Sequence, residues 1–259
     1  MRRGAKLGQH FLNAHWVARD LVKSVGIRED ESVLEIGPGK GALTKELLIQ
    51  GARVVAIEKD PALIPILENL FHDEITKGQL RVVEGDVRDM TPELLGIRKY
   101  AIAANIPYYI TGEIIRQYLT AETQPRAMAL LIQKEVAERI LARDGKESIL
   151  SLSVKAYGKP SIVAKVPAGC FNPPPSVDSA ILLVDIISKD FFAGISEEDF
   201  FRVMKSGFSS KRKMLAGNLK GLFENPATIL TECGLSVKVR AEDLKLGEWK
   251  EIVRRLGHV

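Results

Sequence analysis

The residues best suited to chemistry lie at positions 105–109, Asn-Ile-Pro-Tyr-Tyr, which directly follow an apolar run at 100–104. The side-chain oxygen of Asn105 and a main-chain carbonyl of the next two residues provide two hydrogen-bond acceptors on one short turn. Pro107 fixes this backbone and supplies no competing N–H group. Tyr108 offers a flat ring on which a base can stack for about 1–3 kcal/mol. These groups suit the exocyclic amine of a planar base, such as N6 of adenine.

A second set of such residues surrounds the glycine-rich segment 35–41, Glu-Ile-Gly-Pro-Gly-Lys-Gly. Glycines permit positive φ and let a ligand approach the backbone closely. Glu58 stands 21 positions after Gly37, near the spacing at which an acidic residue holds a ribose diol. Asp86, in the segment Gly-Asp-Val, offers a carboxylate that can accept a hydrogen bond from an adenine amine. We therefore expect a nucleoside-containing ligand here.

Two ligand classes compete for this site, a nicotinamide or flavin dinucleotide and S-adenosylmethionine. The glycines are spaced G-x-G-x-G, whereas the dinucleotide fingerprint is G-x-G-x-x-G. Glu35 would lie poorly beside a pyrophosphate but suits a ligand that carries a sulfonium and an ammonium group. The pattern favours S-adenosylmethionine, and a dinucleotide oxidoreductase remains as an alternative without an evident catalytic pair. Methyl transfer is an in-line displacement, so positioning and electrostatics can supply the catalysis.

Alternating apolar runs and helical spacings must position these residues. Repeated β-α-β alternation predicts a parallel sheet with helices on both faces. Ligands of open α/β sheets bind outside the carboxyl ends of the strands, where Glu58, Asp86 and Asn105 all stand. A proline-rich segment at 167–175 can be neither helix nor central strand, and it presents Phe171 as the expected second face of a base sandwich. The predicted strands are 32–36, 53–57, 80–83, 100–104, 127–133, 162–166 and 179–187, and 149–157 fits helix or strand.

The pattern changes near residue 188, after which the signals are helical. Ser196 is a good N-cap with acidic residues in the following turn, and further helices are predicted at 211–223, 226–233 and 242–256. We expect a donor-binding domain at 1–187 and a helical RNA- and ribosome-binding domain at 188–259. Lys211, Arg212 and Lys213 form either a solvated helix start or a phosphate-binding patch. A second candidate patch consists of Arg2, Arg3 and Lys6.

Composition narrows the setting. The 259 residues carry a formal net charge of +4, which is compatible with attraction to a phosphate backbone. The sequence has no long uncharged apolar run and no apolar stretch behind its basic N-terminus, so neither a membrane span nor a secretory signal is expected. Two cysteines fit a reducing cytosol, and four scattered histidines give no metal-ligand spacing. We expect a cytoplasmic, monomeric, metal-free protein.

Several motifs occur in order along nearly the whole chain. They are Leu-Gly-Gln-His-Phe-Leu (7–12), Glu-Ile-Gly-Pro-Gly-x-Gly-x-Leu-Thr (35–44), Ile-Glu-x-Asp (57–60), Gly-Asp-x (85–87), Asn-Ile-Pro-Tyr-Tyr-Ile (105–110), Val-Pro-x-x-x-Phe-x-Pro-Pro-Pro-x-Val-Asp-Ser (166–179) and Phe-Ser-Ser-Lys-Arg-Lys-Met-Leu (208–215). Together they resemble the ribosomal RNA adenine N6,N6-dimethyltransferases. The resemblance implies a Rossmann-like class I methyltransferase fold, with a mostly parallel seven-stranded sheet and a small all-helical C-terminal domain.

The resemblance also implies a substrate and site residues. The substrate is a pair of adjacent adenines in the 3′-terminal hairpin loop of small-subunit rRNA, within an immature ribosomal particle. Alternatives are dimethylation of large-subunit rRNA, as in antibiotic resistance, and a non-catalytic assembly or transcription factor. The implied base-handling residues are Asn105, Pro107, Tyr108 and Phe171. The implied S-adenosylmethionine contacts are His10, Leu12, Gly37, Glu58, Asp86 and Asn105, to which we add Gln9, Gly39 and Val87 from the same motifs.

Overall fold

The computed structural model describes residues 10–256. The chain divides into two compact units, the first comprising Met1–Ala137 with Lys159–Ile187 and the second Glu138–Gly158 with Ser188–Val259. The second unit thus includes residues 138–158, which the sequence analysis assigned to the donor-binding domain. Within residues 10–256, no helix has the length and apolarity needed to cross a bilayer.

Nine strands lie in the described part of the chain, all of them in the first unit. They are β1 (Phe11–Leu12), β2 (Ser32–Ile36), β3 (Arg53–Glu58), β4 (Leu80–Glu84), β5 (Tyr100–Asn105), β6 (Met128–Gln133), β7 (Lys159–Val166), β8 (Phe171–Asn172) and β9 (Ser179–Asp185). Seven of these form one sheet in the order β4-β3-β2-β5-β6-β9-β7. Strands β2 to β6 are parallel, and β9 runs antiparallel to both β6 and β7.

The central strands are apolar on both faces because helices cover both sides of a parallel sheet. In β5, residues 100–104 are all buried.

The described helices are α1 (His15–Val25), α2 (Ala42–Ile49), α3 (Ile64–Leu70), α4 (His72–Thr76), α5 (Thr111–Thr120), α6 (Lys134–Leu141), α7 (Ile149–Tyr157), α8 (Glu197–Gly207), α9 (Leu215–Asn218), α10 (Pro226–Glu232) and α11 (Leu246–Arg254). Helix α1 buries Val17, Leu21 and Val25 at a spacing of four residues, so it presents one apolar face to the sheet core.

A second, two-stranded sheet pairs β1 with β8 in antiparallel fashion. Phe11 is opposite Asn172 and Leu12 is opposite Phe171, and the Asn13 N–H donates to the Cys170 carbonyl at 2.9 Å. This pairing joins the N-terminal segment to the proline-rich loop. As a result, residues 10–12 are held beside the carboxyl end of the main sheet.

The second unit has its own aromatic core. Phe200 and Trp249 are fully buried, and the rings of Phe208 and Trp249 stack with centroids 5.6 Å apart. Gly207 is needed at this point because a Cβ there would collide with the Trp249 ring. The expected N-cap is present, since the Ser196 hydroxyl accepts a hydrogen bond from the Asp199 N–H at 3.2 Å.

The predicted helix at 211–223 is wrong in most of its length, because only Leu215–Asn218 is helical. The Asn218 amide donates to the carbonyls of Gly207 at 2.5 Å and Ser210 at 3.1 Å. These bonds hold the preceding segment as a turn, so side-chain to main-chain bonding replaces the helical pattern there. The segment 149–157, which fits helix or strand by its period, is helix α7.

Candidate methyl-donor and base-acceptor site

A pocket opens at the carboxyl ends of β2, β3, β4 and β5, where ligands of open α/β sheets bind. It is lined by residues 10–12, 35–40, 42–43, 57–60, 85–88 and 105–110. Ten predicted site residues therefore line one cavity, namely His10, Leu12, Gly37, Gly39, Glu58, Asp86, Val87, Asn105, Pro107 and Tyr108. Gln9 lies outside the described residues.

The glycine-rich loop between β2 and α2 has an unusual backbone. Gly37, Gly39 and Gly41 have φ values of 70°, 59° and 81°, which residues with a Cβ rarely adopt. The Glu58 carboxylate stabilises this loop, since its two oxygens accept hydrogen bonds from the N–H groups of Gly39 and Asp60, each at 2.9 Å. A carboxylate oxygen has more than one lone-pair site. Glu58 can therefore also accept the hydroxyls of a ribose.

Glu35 lines the same pocket in a different state. Its side chain is 1% exposed, and neither oxygen meets a hydrogen-bond partner within residues 10–256. Burial raises the pKa of this carboxyl to about 8; Glu58 adds to the increase, and the nearby Thr44 hydroxyl opposes part of it. A buried carboxylate without partners is costly. A ligand that brings an ammonium or sulfonium group would relieve this cost, which fits S-adenosylmethionine.

Asp86 is the opposite case, because two cations hold it. One oxygen accepts from the Arg88 N–H and Nε, and the other lies 2.6 Å from Arg88 Nη2 and 2.7 Å from Lys59 Nζ. Arg88 and Lys59 hold the pKa of Asp86 well below its usual range. The carboxylate is thus ionised and held in one orientation at the pocket wall.

Asn105 ends strand β5 and has a defined orientation. Its side-chain nitrogen donates to the main-chain carbonyl of His10 at 3.1 Å. The His10 ring in turn bonds the Pro173 carbonyl through Nδ1 at 2.8 Å. Because the nitrogen of the amide is engaged, its oxygen retains its acceptor capacity at the pocket.

The turn after Asn105 offers one further acceptor. The Pro107 carbonyl accepts from the Ile110 N–H at 3.2 Å, whereas the Ile106 carbonyl accepts no hydrogen bond from a described residue. The sequence left open whether Ile106 or Pro107 supplies the main-chain acceptor, and the carbonyl that remains free is that of Ile106.

Tyr108 is half-buried, and its hydroxyl lies 2.7 Å from the buried Ser179 hydroxyl, which fixes the direction of the ring.

Phe171 requires a correction. It was expected to face Tyr108 across the pocket, but it is 3% exposed, does not line the cavity and belongs to the core cluster that contains Val17 and Leu21. The physical reason is the pairing of β8 with β1, which covers the ring. The aromatic neighbour of Tyr108 is instead His10, whose ring stacks on it with centroids 6.0 Å apart.

Lys211, Arg212 and Lys213 lie in the second unit on the turn that Asn218 holds. All three are exposed, and none forms an ion pair with another described residue.

Within residues 10–256, no group of His, Cys, Asp and Glu side chains is arranged to hold a metal ion. Arg2, Arg3 and Lys6 lie outside the described residues.

Sequence reasoning missed three functional neighbours of the site. Lys59 and Arg88 lie two and five residues beyond the predicted strand ends at 57 and 83, so their place at the same edge of the sheet as Asp86 had a positional signal. Ser179, the partner of Tyr108, is the last residue of the proline-rich motif and lies 71 positions away. The β9–β6–β5 order of the sheet brings it beside the Tyr108 hydroxyl.

The arrangement separates two kinds of chemistry. Three carboxylates and a glycine loop form one side, which suits a cationic nucleoside ligand. A neutral amide oxygen, a free carbonyl and an oriented ring form the other, which suits an uncharged base.

The comparisons with known proteins agree with this geometry. A sequence model of the family described as ribosomal RNA adenine dimethylase matches residues 2–257. A ribosomal RNA small subunit methyltransferase A of Dehalococcoides mccartyi is 41% identical over 95% of this chain and 86% of its own length. The corresponding protein of Thermosynechococcus vestitus is 35% identical, over 99% and 98% of the two chains.

Two solved structures share the fold along nearly the whole chain. A dimethyladenosine transferase from Plasmodium falciparum superposes with a TM-score of 0.80 at 26% identity, covering 94% of this chain and 96% of that one. The 23S rRNA methyltransferase ErmE superposes with a TM-score of 0.77 at 25% identity, covering 95% and 99%. These matches confirm the class I methyltransferase fold and the resemblance seen in the motifs. The chain belongs to the ribosomal RNA adenine dimethylases, a family of S-adenosylmethionine-dependent methyltransferases.

Proposed function

We propose that this enzyme dimethylates N6 of two adjacent adenines in the 3′-terminal hairpin loop of small-subunit rRNA during assembly of the particle. The observation that carries the proposal is the pair of unengaged acceptors at the end of β5. The Asn105 amide is oriented by His10, and the Ile106 carbonyl has no described partner. Two acceptors match the two hydrogens of an unmethylated adenine amine.

S-adenosylmethionine, when bound, supplies a methyl group on a positively charged sulfur. Glu35, Glu58, Asp86 and the glycine loop would hold it, since the buried unpartnered Glu35 carboxylate fits its cationic end. Leu12 and Val87 line the walls of the same cavity.

The acceptor residues would act on the base by position and polarity. The lone pair of an adenine amine is delocalised into the ring, which makes the nitrogen a poor nucleophile. Asn105 and the Ile106 carbonyl would accept the N6 hydrogens and favour the tetrahedral nitrogen that forms as the new bond is made. Tyr108 would stack on the base, which offsets part of the cost of taking the nucleotide out of its own stack. Pro107 keeps both acceptors on one rigid turn.

The preference for the small subunit comes from the relatives. The relatives from Dehalococcoides mccartyi and Thermosynechococcus vestitus, which cover nearly the whole chain, are small-subunit enzymes by name. ErmE, an enzyme of 23S rRNA, has nearly the same fold similarity as the dimethyladenosine transferase, so large-subunit methylation is the second candidate. A non-catalytic factor is disfavoured because the donor and acceptor residues line one intact pocket.

The second unit and the setting complete the proposal. The exposed cations Lys211, Arg212 and Lys213 would contact the RNA backbone, consistent with an RNA- and ribosome-binding role for residues 188–259. We expect the enzyme to act as a cytoplasmic monomer on an immature small-subunit particle.

The test is a methyl-transfer assay with unmethylated small and large ribosomal subunits in parallel. Nucleosides from each RNA are quantified by mass spectrometry after incubation with S-adenosylmethionine. We expect N6,N6-dimethyladenosine in small-subunit RNA only, at two molecules per particle. Product confined to large-subunit RNA would transfer the proposal to the second candidate, and no methylated adenosine in either RNA would refute both.

A further inference from the structure

Tyr109 is more exposed than its neighbours on the turn 106–110 that follows Asn105, which we call the acceptor turn. Tyr108 is anchored through its hydroxyl to Ser179 and Ile110 is buried, whereas the Tyr109 side chain is 67% exposed although it lines the same pocket. An aromatic residue exposed to this degree at the mouth of a pocket gains little from folding, since most of its ring is left in water. The ring is therefore available to a substrate.

The frame that carries Tyr109 is braced. The short turn Tyr108–Ile110 leads directly into α5, and Gln117 of this helix donates from Nε2 to the carbonyls of Val87 at 2.9 Å and Met90 at 3.0 Å. These bonds tie the acceptor turn to the next wall of the pocket. Tyr109 is thus presented at a fixed place on the rim.

The position of Tyr109 fits one particular occupant. Consecutive Cα atoms are about 3.8 Å apart, so the rings of Tyr108 and Tyr109 leave the backbone at adjacent points of the pocket lining, the first half-buried and the second exposed at the rim. Adjacent nucleotides of one RNA strand present their bases in the same way. When one base enters the pocket, its neighbour is left unstacked at the rim, and an exposed aromatic ring is the usual platform for such a base.

We propose that Tyr109 is a stacking platform for the nucleotide next to the target adenine, which makes it a specificity-determining residue. The inference rests on the proposed function, in which that neighbour is itself an adenine and the next target. Stacking of the neighbour would keep both adenines at the pocket while one of them is methylated.

The experiment compares Tyr109→Ala, Tyr109→Phe and wild type in methyl transfer to unmethylated small subunits. The matched control is Leu94→Ala, which truncates an exposed apolar side chain outside the pocket. Loss of one stacked base predicts that kcat/KM for small subunits falls about tenfold in Tyr109→Ala, through KM. Tyr109→Phe keeps the ring and should stay within twofold of wild type, as should Leu94→Ala. The fraction of particles with only one of the two adenines modified should rise in Tyr109→Ala.

Three outcomes would overturn the inference. Wild-type kcat/KM in Tyr109→Ala would show that the ring carries no base. Equal loss in Tyr109→Phe would assign the effect to the hydroxyl. If Tyr109→Ala bound S-adenosylmethionine tenfold more weakly than wild type, as measured by calorimetry, the ring would belong to the donor site instead. Transfer by wild type to small subunits tests the proposed function separately, and its absence would remove both proposals.

Discussion

The two sides of the pocket differ in charge and in how they are held. On the donor side lie three carboxyl groups, those of Glu35, Glu58 and Asp86, and N–H groups or cations already engage the last two. On the acceptor side, Asn105 and Tyr108 are neutral and are each fixed by one hydrogen bond. The difference fits the proposed pair of ligands, a cationic donor and an uncharged base, and it predicts that donor binding and methyl transfer respond differently to substitution.

The largest effect is expected at Glu58, which both supports the glycine loop and faces the ligand. In Glu58→Ala, the N–H groups of Gly39 and Asp60 lose their acceptors, and each unsatisfied group costs about 1–3 kcal/mol. We expect S-adenosylmethionine to bind at least about 100-fold more weakly, as measured by calorimetry. Glu58→Gln keeps one acceptor oxygen and should lose less. Binding by Glu58→Ala within threefold of wild type would remove Glu58 from the donor side.

Glu35 gives the sharpest test of the charge difference. Its pKa is raised from 4.5 to about 8, so the folded protein favours the neutral form. The contribution of this group to the free energy of unfolding is therefore greatest below pH 4.5, where Glu35 is protonated in both the folded and the unfolded chain. The contribution decreases as the pH rises from 4.5 to about 8, because ionisation then stabilises the unfolded chain alone. Replacement by Gln removes this loss. We expect Glu35→Gln to gain several degrees in Tm relative to wild type between pH 4.5 and 8, with no further gain above that range.

The affinity for S-adenosylmethionine should change with pH in the opposite direction to the stability, again because of Glu35. The affinity of wild type for cationic S-adenosylmethionine should rise with pH up to about 8, because Glu35 must be ionised to attract it. Glu35→Gln should bind about tenfold more weakly at pH 8 and lack this component of the pH dependence. A wild-type affinity that stays constant from pH 5 to pH 8 would contradict the account.

The sequence predicts the sheet well for a physical reason. Strands β2, β3, β5 and β6 are buried on both faces, so each appears as an apolar run. The predicted limits of β2 to β6 lie within one residue of the observed ones. The pairing of β1 with β8 has no such signal, because it joins two short segments far apart in the chain. That pairing decides the burial of Phe171, so the expected position of this ring was wrong.

Side-chain hydrogen bonds explain the other differences between the predicted and the observed structure. The apolar residues at 215, 219 and 223 have a helical spacing, but Asn218 bonds back to Gly207 and Ser210 and limits α9 to four residues. Similarly, the carboxylates of the donor side could be placed at strand ends from the sequence. Their opposite electrostatic states depend on whether cations or apolar groups surround them, which the sequence does not show.

Asn105, Pro107 and Tyr108 carry no positive charge, so we expect other residues to supply the attraction to the RNA backbone. Replacement of Lys211, Arg212 and Lys213 by Gln should weaken binding of small-subunit RNA about tenfold and reduce the slope of log K against log salt by about 2. The matched control replaces Lys23, Lys77 and Arg98, three exposed cations of the first unit outside the pocket. Equal effects of the two triple variants would indicate net charge alone rather than a local contact.

The smallest effect is expected at the Tyr108 hydroxyl. Tyr108→Phe keeps the ring but leaves the buried Ser179 hydroxyl without its partner. We expect a two- to fivefold loss of kcat/KM for small subunits, consistent with a hydrogen bond worth about 1 kcal/mol. Ser179→Ala should have a similar effect, and the double variant should lose no more than either one. A loss above 100-fold in Tyr108→Phe would instead assign the hydroxyl to the chemical step.

The most direct test of the division between the two sides is single-turnover methyl transfer by Asn105→Ala at saturating S-adenosylmethionine. The amount of dimethyladenosine formed in small subunits is followed by mass spectrometry, and the donor Kd is measured on the same preparation. We predict a loss of transfer of at least about 100-fold, with the donor Kd within tenfold of wild type. Normal transfer, or a loss of donor affinity as large as the loss of transfer, would contradict the account.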